Sequence, residues 1–269
     1  MLNHNIEFSF ENLEETIMEQ SAFGKLFKTY VPHILENIFL SLDYKSFKAC
    51  HEVCKAWNGL LLNELFKEKV KKILMENGEK LRHATGEGNA DEVRRILSKG
   101  VVDVNCGTFL HLAVINGHDM LVKQLHNAGA DTNKADLKGN TPLHYAASNK
   151  RQTGMVELLL DRGADLNKAN EFGSTPLQMA ATGGCKNVVK LLIERGAQVN
   201  KVERSGLTPL HCAVMCNSKP VVQALLDRGA DPAKPDIKGQ TPECHARRLG
   251  RLNIVKMLTK ASAQRHQRD

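Results

Sequence analysis

The residues whose types and spacing could do chemistry are histidines and cysteines. His111, His144 and His211 each stand three residues after a threonine, and Cys212 and Cys216 follow the last of them one helical turn apart. Imidazole nitrogen and thiolate sulfur are zinc ligands. A closed zinc site needs a fourth ligand, and none stands near this group. The repeated placement after threonine indicates instead a structural hydrogen bond near the start of a helix.

Other signatures of catalysis or of bound groups do not stand out. The seven cysteines are odd in number and form no CxxC pair, which argues against a disulfide framework and a zinc ribbon. No glycine-rich phosphate loop and no Ser-His-Asp set is evident. The sequence therefore predicts a protein that is not an enzyme and that binds no metal and no cofactor.

Composition and charge narrow the class further. The 269 residues are 42% apolar and 25% charged, which is typical of a globular protein, and no apolar run is long enough for a membrane span. The first ten residues lack the pattern of a secretory leader. We expect a cytoplasmic and/or nuclear protein that is not secreted and has no membrane association.

The basic charge is placed unevenly. The net charge is +7, but residues 1–77 carry nine Lys and Arg against eleven Asp and Glu, which leaves 28 against 19 for residues 78–269. A basic region favours an acidic partner, either a protein segment or a nucleic acid. Three tyrosines and one tryptophan offer little surface for stacking bases, so nucleic acid is the weaker of the two.

A tetrapeptide recurs through the second part of the chain at steps of 33, 34, 33 and 33 residues. Its copies begin at Thr108, Thr141, Thr175, Thr208 and Thr241, and three of the five read Thr-Pro-Leu followed by His or Gln. Threonine caps a helix and proline suits the first helical position. Each copy therefore predicts the start of a helix.

A second phrase keeps the same period. Gly-Ala-Asp or Gly-Ala-Gln follows at Gly129, Gly163, Gly196 and Gly229, just after a stripe of paired apolar residues. The stripe predicts a second helix, which the glycine ends. The one extra residue of the 34-residue step is expected in the turn between the two helices, around residues 148–154.

These phrases resemble the ankyrin repeat over about residues 79–262, as six units of which four are clear. The first unit fits Leu81 to Gly100, and residues 263–269 form a charged tail. The resemblance implies an all-α solenoid of helix pairs joined by short β-hairpins.

The resemblance also implies that a protein partner contacts hairpin tips and first helices on a concave face. The implied tip residues are Leu137, Lys138, Asn140, Glu171, Phe172, Ser174, Arg204, Ser205, Leu207, Ile237 and Lys238. The implied first-helix residues are Ser148, Asn149, Thr182, Met215 and Cys216. Apolar residues at exposed tips often bind partners, although packing against the neighbouring tip is an equal alternative.

Residues 30–75 do not follow the repeat and are predicted to form three short helices. Their order resembles the F-box: Val31-Pro32, Leu35, Ile38-Phe39, Ser41-Leu42-Asp43 and Val53 through Trp57. The resemblance implies docking onto the adaptor subunit of a cullin ubiquitin ligase. The implied contacts are Pro32, Leu35, Ile38, Leu42, Val53 and Trp57. Alternatively these residues only fill a helical cap on the repeats. Residues 1–29 form an extension, and the stretch from Glu11 to Tyr30 is compatible with a helix.

Three interpretations of function follow. The first is a substrate-recognition subunit of an SCF ubiquitin ligase, with the F-box-like module on the adaptor and the repeats on the target protein. The second is a ligase-independent ankyrin scaffold or inhibitor that binds a protein partner. The third and weakest is a nucleic-acid reader that uses Arg247, Arg248, Arg251 and Lys256.

Overall fold

The structure is a computed structural model that describes residues 64–99, 102–105 and 107–266. These residues form twelve α-helices and no strand. The helices are α1 Glu64–Glu87, α2 Ala90–Ser98, α3 Phe109–Ile115, α4 Asp119–Asn127, α5 Pro142–Ala147, α6 Thr153–Asp161, α7 Pro176–Thr182, α8 Lys186–Glu194, α9 Pro209–Met215, α10 Lys219–Leu226, α11 Pro242–Arg248 and α12 Leu252–His266. The chain divides into two units, 1–80 with 94–103 and 81–93 with 104–269.

Helix pairs repeat through the second unit as the sequence predicts. Helices α3, α5, α7, α9 and α11 are the first helices of successive repeats, and each contacts the next one. Helices α4, α6, α8, α10 and α12 are the second helices, and contacts join α6 to α8, α8 to α10 and α10 to α12. Every repeat therefore packs on its neighbours in sequence.

Threonine and proline start the first helices by the expected mechanism. Thr175, Thr208 and Thr241 have extended backbone, and each side-chain oxygen accepts the backbone N–H three residues on, at 3.3 to 3.4 Å. Proline follows in each case at the first helical position, where its missing N–H has no helical partner to lose. Thr108, which lacks the proline, makes no such side-chain bond.

The core of the repeats consists of alanines between the first helices and larger apolar residues on the second. Ala146, Ala147, Ala180, Ala181 and Ala213 are buried. Small side chains allow the first helices to approach closely. On the second helices the buried residues include Val156, Leu159, Val188, Val189, Leu192, Val221, Val222 and Leu225, at the spacing of one helical face.

The extra residue of the 34-residue repeat lies where the sequence predicts it. The turn between α5 and α6 holds five residues, 148–152, whereas the turn between α7 and α8 holds three, 183–185. The insertion lengthens this turn and shortens α5 to six residues. It leaves the helix contacts on either side in place.

The hairpins are the feature in which the described residues differ from expectation. The segments between repeats are turns without strands. Four of these segments each contain a five-residue loop. One backbone hydrogen bond closes each loop between its first and last residue, for example from the Asp136 N–H to the Asn140 carbonyl at 2.9 Å. A single closing bond is too short a ladder to make a strand.

The two ends of the repeats also refine the predicted boundaries. Helix α1 runs without a break from Glu64 to Glu87. The last of the three helices predicted in residues 30–75 and the first helix of the first repeat are therefore one element. Gly88, with φ of 75°, ends it. At the other end α12 continues to His266, so residues 263–266 of the predicted tail are helical.

The F-box-like contacts Pro32, Leu35, Ile38, Leu42, Val53 and Trp57 lie outside the described residues, as does the extension 1–29. Of the first unit the structure describes residues 64–80, 94–99 and 102–103. None of the helices it describes is long and apolar enough to cross a membrane.

Candidate protein-interaction surface

Four five-residue tip loops join successive repeats. They are residues 136–140, 170–174, 203–207 and 236–240, and each is closed from the first backbone N–H to the fifth carbonyl at 2.9 to 3.2 Å. The first side chain of each loop accepts two further backbone N–H groups. In the first loop Asp136 Oδ1 accepts from Lys138 at 2.8 Å and from Asn140 at 2.9 Å. Asn170, Glu203 and Asp236 do the same in the other three.

Two of these loops are also tied to a first helix. Tyr145 donates its hydroxyl to Asp136 Oδ2 at 2.6 Å, and His245 Nε2 lies 2.9 Å from Asp236 Oδ2. The hydrogen bond from His245, together with the backbone N–H groups, lowers the pKa of Asp236 to about 2. Burial alone would raise the pKa of Asp136, but its bonds from Tyr145 and the loop lower it. Both carboxylates are charged, and their oxygen atoms already accept hydrogen bonds from the loop and from a first helix.

Neighbouring tips are bonded to one another. Backbone bonds run from Glu171 N–H to the Lys138 carbonyl at 3.1 Å, from Arg204 N–H to the Phe172 carbonyl at 3.0 Å, and from Ile237 N–H to the Ser205 carbonyl at 3.2 Å. The fourth residue of every loop is a glycine with φ between 74° and 80°. A Cβ on Gly206 would stand 2.7 Å from the backbone nitrogen of Ile237. Glycine is therefore required both for the turn and for the close approach.

The second and third loop residues point to solvent and form the surface that we call the tip row. Its members are Leu137, Lys138, Glu171, Phe172, Arg204, Ser205, Ile237 and Lys238, and all are exposed. Leu137 is 97% exposed, Ile237 71% and Phe172 57%. Of the three apolar residues Phe172, Leu207 and Ile237, for which packing against the neighbouring tip was the alternative, Phe172 and Ile237 are mostly exposed and Leu207 is half-buried. Three of the four charged members are basic.

Three predicted partner residues at the loops have other surroundings. Asn140 is only 8% exposed, because its Oδ1 accepts from Asn170 at 2.8 Å and its carbonyl bonds to His111 Nε2 at 2.9 Å. It belongs to the repeat interface. Leu207 and Ser174 are half-buried, and their carbonyls bond to the side chains of Gln178 and His144. These three residues are the last in their loops and close them. The residues of the tip row lie between the first and the last residue of each loop.

The predicted first-helix residues do not join the tip row. Ser148 and Asn149 lie in the turn after α5, Thr182 and Met215 are the last residues of α7 and α9, and Cys216 follows α9. A first helix of seven residues, about 10 Å long, separates them from the tips. The structure therefore divides the predicted partner residues between two edges of the second unit.

Asparagine bridges between repeats are a feature that the sequence reasoning missed. Asn133 donates to the Gly163 carbonyl at 2.9 Å and accepts from the Asp165 N–H at 2.7 Å. Asn105 and Asn200 make the same pair of bonds to the Gly-Ala-Asp of the next repeat, and Asn167 accepts from Gln198. The signal was an asparagine that recurs with the period, two residues after Asp103, Asp131, Asp165 and Gln198.

The histidine and cysteine cluster is structural in this arrangement. Both ring nitrogens of His211 bond within the repeats, Nδ1 to Thr208 and Nε2 to the Gln240 carbonyl at 3.1 Å. Burial raises the pKa of Cys212 to about 11, and Cys216 donates its thiol to the Ala181 carbonyl at 3.0 Å. Within the described ranges no three His, Cys, Asp or Glu side chains could hold a metal ion together.

Repeated helix pairs whose loops are rigid and present exposed side chains in a row define a class of repeat protein that binds other proteins. A family model described as ankyrin repeats (3 copies) matches residues 51–170, 154–236 and 203–269. The chain belongs to the ankyrin-repeat family. Ankyrin repeats bind protein partners.

The family match bears on the N-terminal module as well. It begins at residue 51, inside the range 30–75 that resembles an F-box, and so includes Val53 and Trp57. No F-box family match accompanies it. The adaptor-binding role of this range therefore belongs among the proposals.

Proposed function

We propose that this chain is the substrate-recognition subunit of a cullin-type ubiquitin ligase, in which residues 30–75 dock the adaptor and the tip row binds the target protein. The observation that carries target binding is the row of exposed apolar side chains on bonded loops. The F-box resemblance of residues 30–75 supports the adaptor contact. On this proposal the protein is cytoplasmic or nuclear and performs no chemistry itself.

Exposed apolar side chains on rigid loops favour binding in two ways. Leu137, Phe172 and Ile237 would be transferred from water into the interface, which contributes roughly 25 cal/mol for each Å² of apolar area covered. The loops are already held by internal bonds and by bonds between tips. Little conformational entropy is then lost on association. Lys138, Arg204 and Lys238 beside them favour a target with acidic groups next to its apolar ones.

Adaptor binding is tested with the purified full-length protein. We expect one-to-one binding to the adaptor subunit, and loss of binding in the variant P32E/L35E with the circular dichroism of the helices unchanged. The matched control is L137E/I237E, which also replaces two apolar side chains by Glu and should bind the adaptor as the unaltered protein does. A folded unaltered protein that does not bind the adaptor would overturn the ligase proposal.

The second candidate, a ligase-independent ankyrin scaffold or inhibitor, is favoured by the family match over residues 51–75. It shares the tip row with the first. A photo-reactive amino acid placed at position 137 or 237 should cross-link to the same target in cells. Placed at the exposed position 190, on the second helix α8, it should not. Cross-linking at 190 alone would reject the tip row as the binding surface.

A further inference from the structure

Four of the turns between first and second helices carry charge of one sign. We call them together the turn edge and define it as residues 148–153, 182–187, 215–220 and 247–252. It holds seven basic residues and no acidic one: Lys150, Arg151, Lys186, Lys219, Arg247, Arg248 and Arg251. The net charge of the whole chain is +7. Much of the basic excess of the repeats is thus concentrated on one edge.

The opposite ends of the second helices are built differently. Three of them, α6, α8 and α10, end at or just before an acidic residue that arginine follows, at Asp161-Arg162, Glu194-Arg195 and Asp227-Arg228. Ion pairs cross from repeat to repeat there, with Arg195 to Asp161 at 3.0 Å and Arg228 to Glu194 at 2.9 Å. That edge is neutral within itself. The four turns of the turn edge therefore carry a charge that the other edge lacks, whereas the corresponding turn of the preceding repeat, 115–120, carries Asp119 and no Lys or Arg.

The lysines and Arg151 of the turn edge are available to a ligand. Lys150, Arg151, Lys186 and Lys219 are exposed, and none of them has an ion-pair partner among the residues that the structure describes. The last turn is partly occupied, since Arg247 bonds to Glu243 at 3.0 Å and Arg251 donates to the Val214 carbonyl. The open positive charge lies in the first three turns.

These lysines do not serve the helices that they begin. Lys186 and Lys219 are the first residues of α8 and α10, where the partial positive charge of the helix dipole repels a cation. An acidic or neutral residue there would stabilise the helix. A cation that costs stability at each of two corresponding positions indicates another use for the charge.

Two of the residues between the charges, 183 and 184, are glycine. A Cβ on Gly184 would lie 3.5 Å from Lys150 Nζ and 3.5 Å from Ser218 Oγ, so side chains from the turns on either side reach this glycine. A Cβ on Gly183 would lie 2.6 Å from the Ser148 carbonyl oxygen, so this glycine packs against the preceding turn. Packed helices are about 8–10 Å apart, and every third residue of an extended strand advances about 10 Å. An extended segment can match the turns one by one.

Apolar side chains stand at both ends of this basic stretch. Ile115 and Met120 beside the turn of the preceding repeat are at least half exposed, and so is Leu252 in the last turn. Leu249 and Met215 are partly exposed as well. A ligand that fits the whole edge has a negative middle and apolar flanks. The turn edge itself contains no aromatic residue on which a base could stack.

We propose that the turn edge is a second interaction surface, which binds an extended acidic segment of a partner protein with carboxylates at every third residue and apolar side chains on either side. It lies a helix length away from the tip row and does not depend on the tip row binding anything. The four open cations Lys150, Arg151, Lys186 and Lys219 hold the carboxylates.

The test uses the full-length protein and a fluorescein-labelled peptide of about 12 residues, the length that spans four turns, with Glu at every third position and Leu near both ends. Fluorescence anisotropy at about 50 mM salt should give binding at least about tenfold tighter than for the same peptide with Gln in place of Glu. The variant K150E/R151E/K186E/K219E should lose about tenfold or more in affinity.

The matched control is K123E/K168E/K201E/K256E, which has the same formal net charge but alters exposed lysines away from the turn edge. It should keep the affinity within about threefold. Equal loss in both variants would overturn the proposal, since net charge alone would explain it. Equal binding of the Gln peptide would do so too. A single-stranded RNA of similar length that binds more tightly, and is released by the turn-edge variant, would make this a nucleic-acid edge instead.

Discussion

His144 and His211 are each held in one tautomer by bonds on both sides of the ring. Nδ1 of each accepts the backbone N–H of the preceding threonine at 3.1 Å. The proton therefore sits on Nε2, which donates to a carbonyl of the next repeat at 3.1 Å. Gln178 makes the same two bonds with its amide, accepting from Thr175 at 2.9 Å and donating to Leu207 at 2.8 Å. The side chain at this position of the repeat is therefore neutral in all three cases.

The first prediction concerns pH. Burial lowers the pKa of His111, His144 and His211 in the folded state. Below about pH 6.5 the unfolded chain therefore binds more protons than the folded protein. These histidines do not reduce the free energy of unfolding above that pH, and they reduce it as the pH falls toward their folded-state pKa. We expect H144Q/H211Q to lose less stability than the unaltered protein between pH 7.5 and pH 5.5, measured by urea unfolding.

At pH 7.5 the same variant should unfold within about 1 kcal/mol of the unaltered protein, because glutamine replaces both hydrogen bonds. Asn187, which is exposed on α8 and does not titrate, provides the control. N187Q should keep the original pH dependence. An unchanged pH dependence in H144Q/H211Q would contradict the assignment of neutral, buried imidazoles.

The second prediction concerns the asparagine bridges. Asn133→Ala removes two hydrogen bonds between successive repeats and leaves the Gly163 carbonyl and the Asp165 N–H without them. We expect a loss of about 1–2 kcal/mol in the free energy of unfolding. Asn187→Ala on the exposed face of α8 is the matched control and should change it by less than about 0.5 kcal/mol. Similar values for the two would show that the bridges do not stabilise the stack.

Sequence alone predicted one of these two devices and not the other. The threonine and the histidine three residues later belong to one helix start, so a known local geometry brings them together. Asn133 meets its partners only when Gly163 and Asp165, about 30 residues on, are stacked beside it. Asn140 was placed on the binding surface for the same reason, since its burial arises from the next loop.

At the scale of the element, the tip loops combine a local turn with a bond to the next loop. A comparison of Gly206 with Gly239 separates the requirement of the turn from the requirement of the close approach to the next loop. Both have positive φ, 77° and 74°, but only Gly206 faces the backbone of a following tip, with Ile237 N 2.7 Å from the Cβ that alanine would add. Gly239 has open space there.

The third prediction follows from that difference. Gly239→Ala should cost about 1 kcal/mol, the strain of a left-handed backbone, as judged by chemical unfolding. Gly206→Ala should cost about 1–3 kcal/mol more, because the loop must also move off Ile237. Equal costs would mean that the bond from Ile237 to Ser205 is not formed in solution.

Helices and loops differ in how far the sequence predicts them. The helix pairs follow from signals within each repeat, namely the cap, the proline and the apolar stripe. The predicted β-hairpins are single-bonded turns because Asp136, Asn170, Glu203 and Asp236 satisfy the loop N–H groups with side chains in place of a strand partner. Which loop residues face solvent follows from that capping.

At the scale of the molecule, the second unit is a stack in which each repeat contacts the repeats beside it. Stability in such a stack is a sum of repeat terms and of interfaces between neighbours. An interior repeat has two interfaces and the last has one. The same loss of packing should therefore have local consequences at the end and wider ones in the middle.

The fourth prediction compares two leucines that are equally buried. Leu258 in α12 and Leu177 in α7 are 0% and 1% exposed, and truncation of either to alanine should cost roughly 2–5 kcal/mol. Because α12 packs on α10 and α11, Leu258→Ala should raise amide hydrogen exchange in α11 and α12 and leave α5 through α8 protected. Leu177→Ala should raise exchange on both sides, in α5, α7 and α9. A uniform rise across all helices in both variants would mean that the repeats unfold as one cooperative block. Between a rise confined to neighbouring helices and a rise in every helix, the number of helices affected measures how strongly neighbouring repeats are coupled.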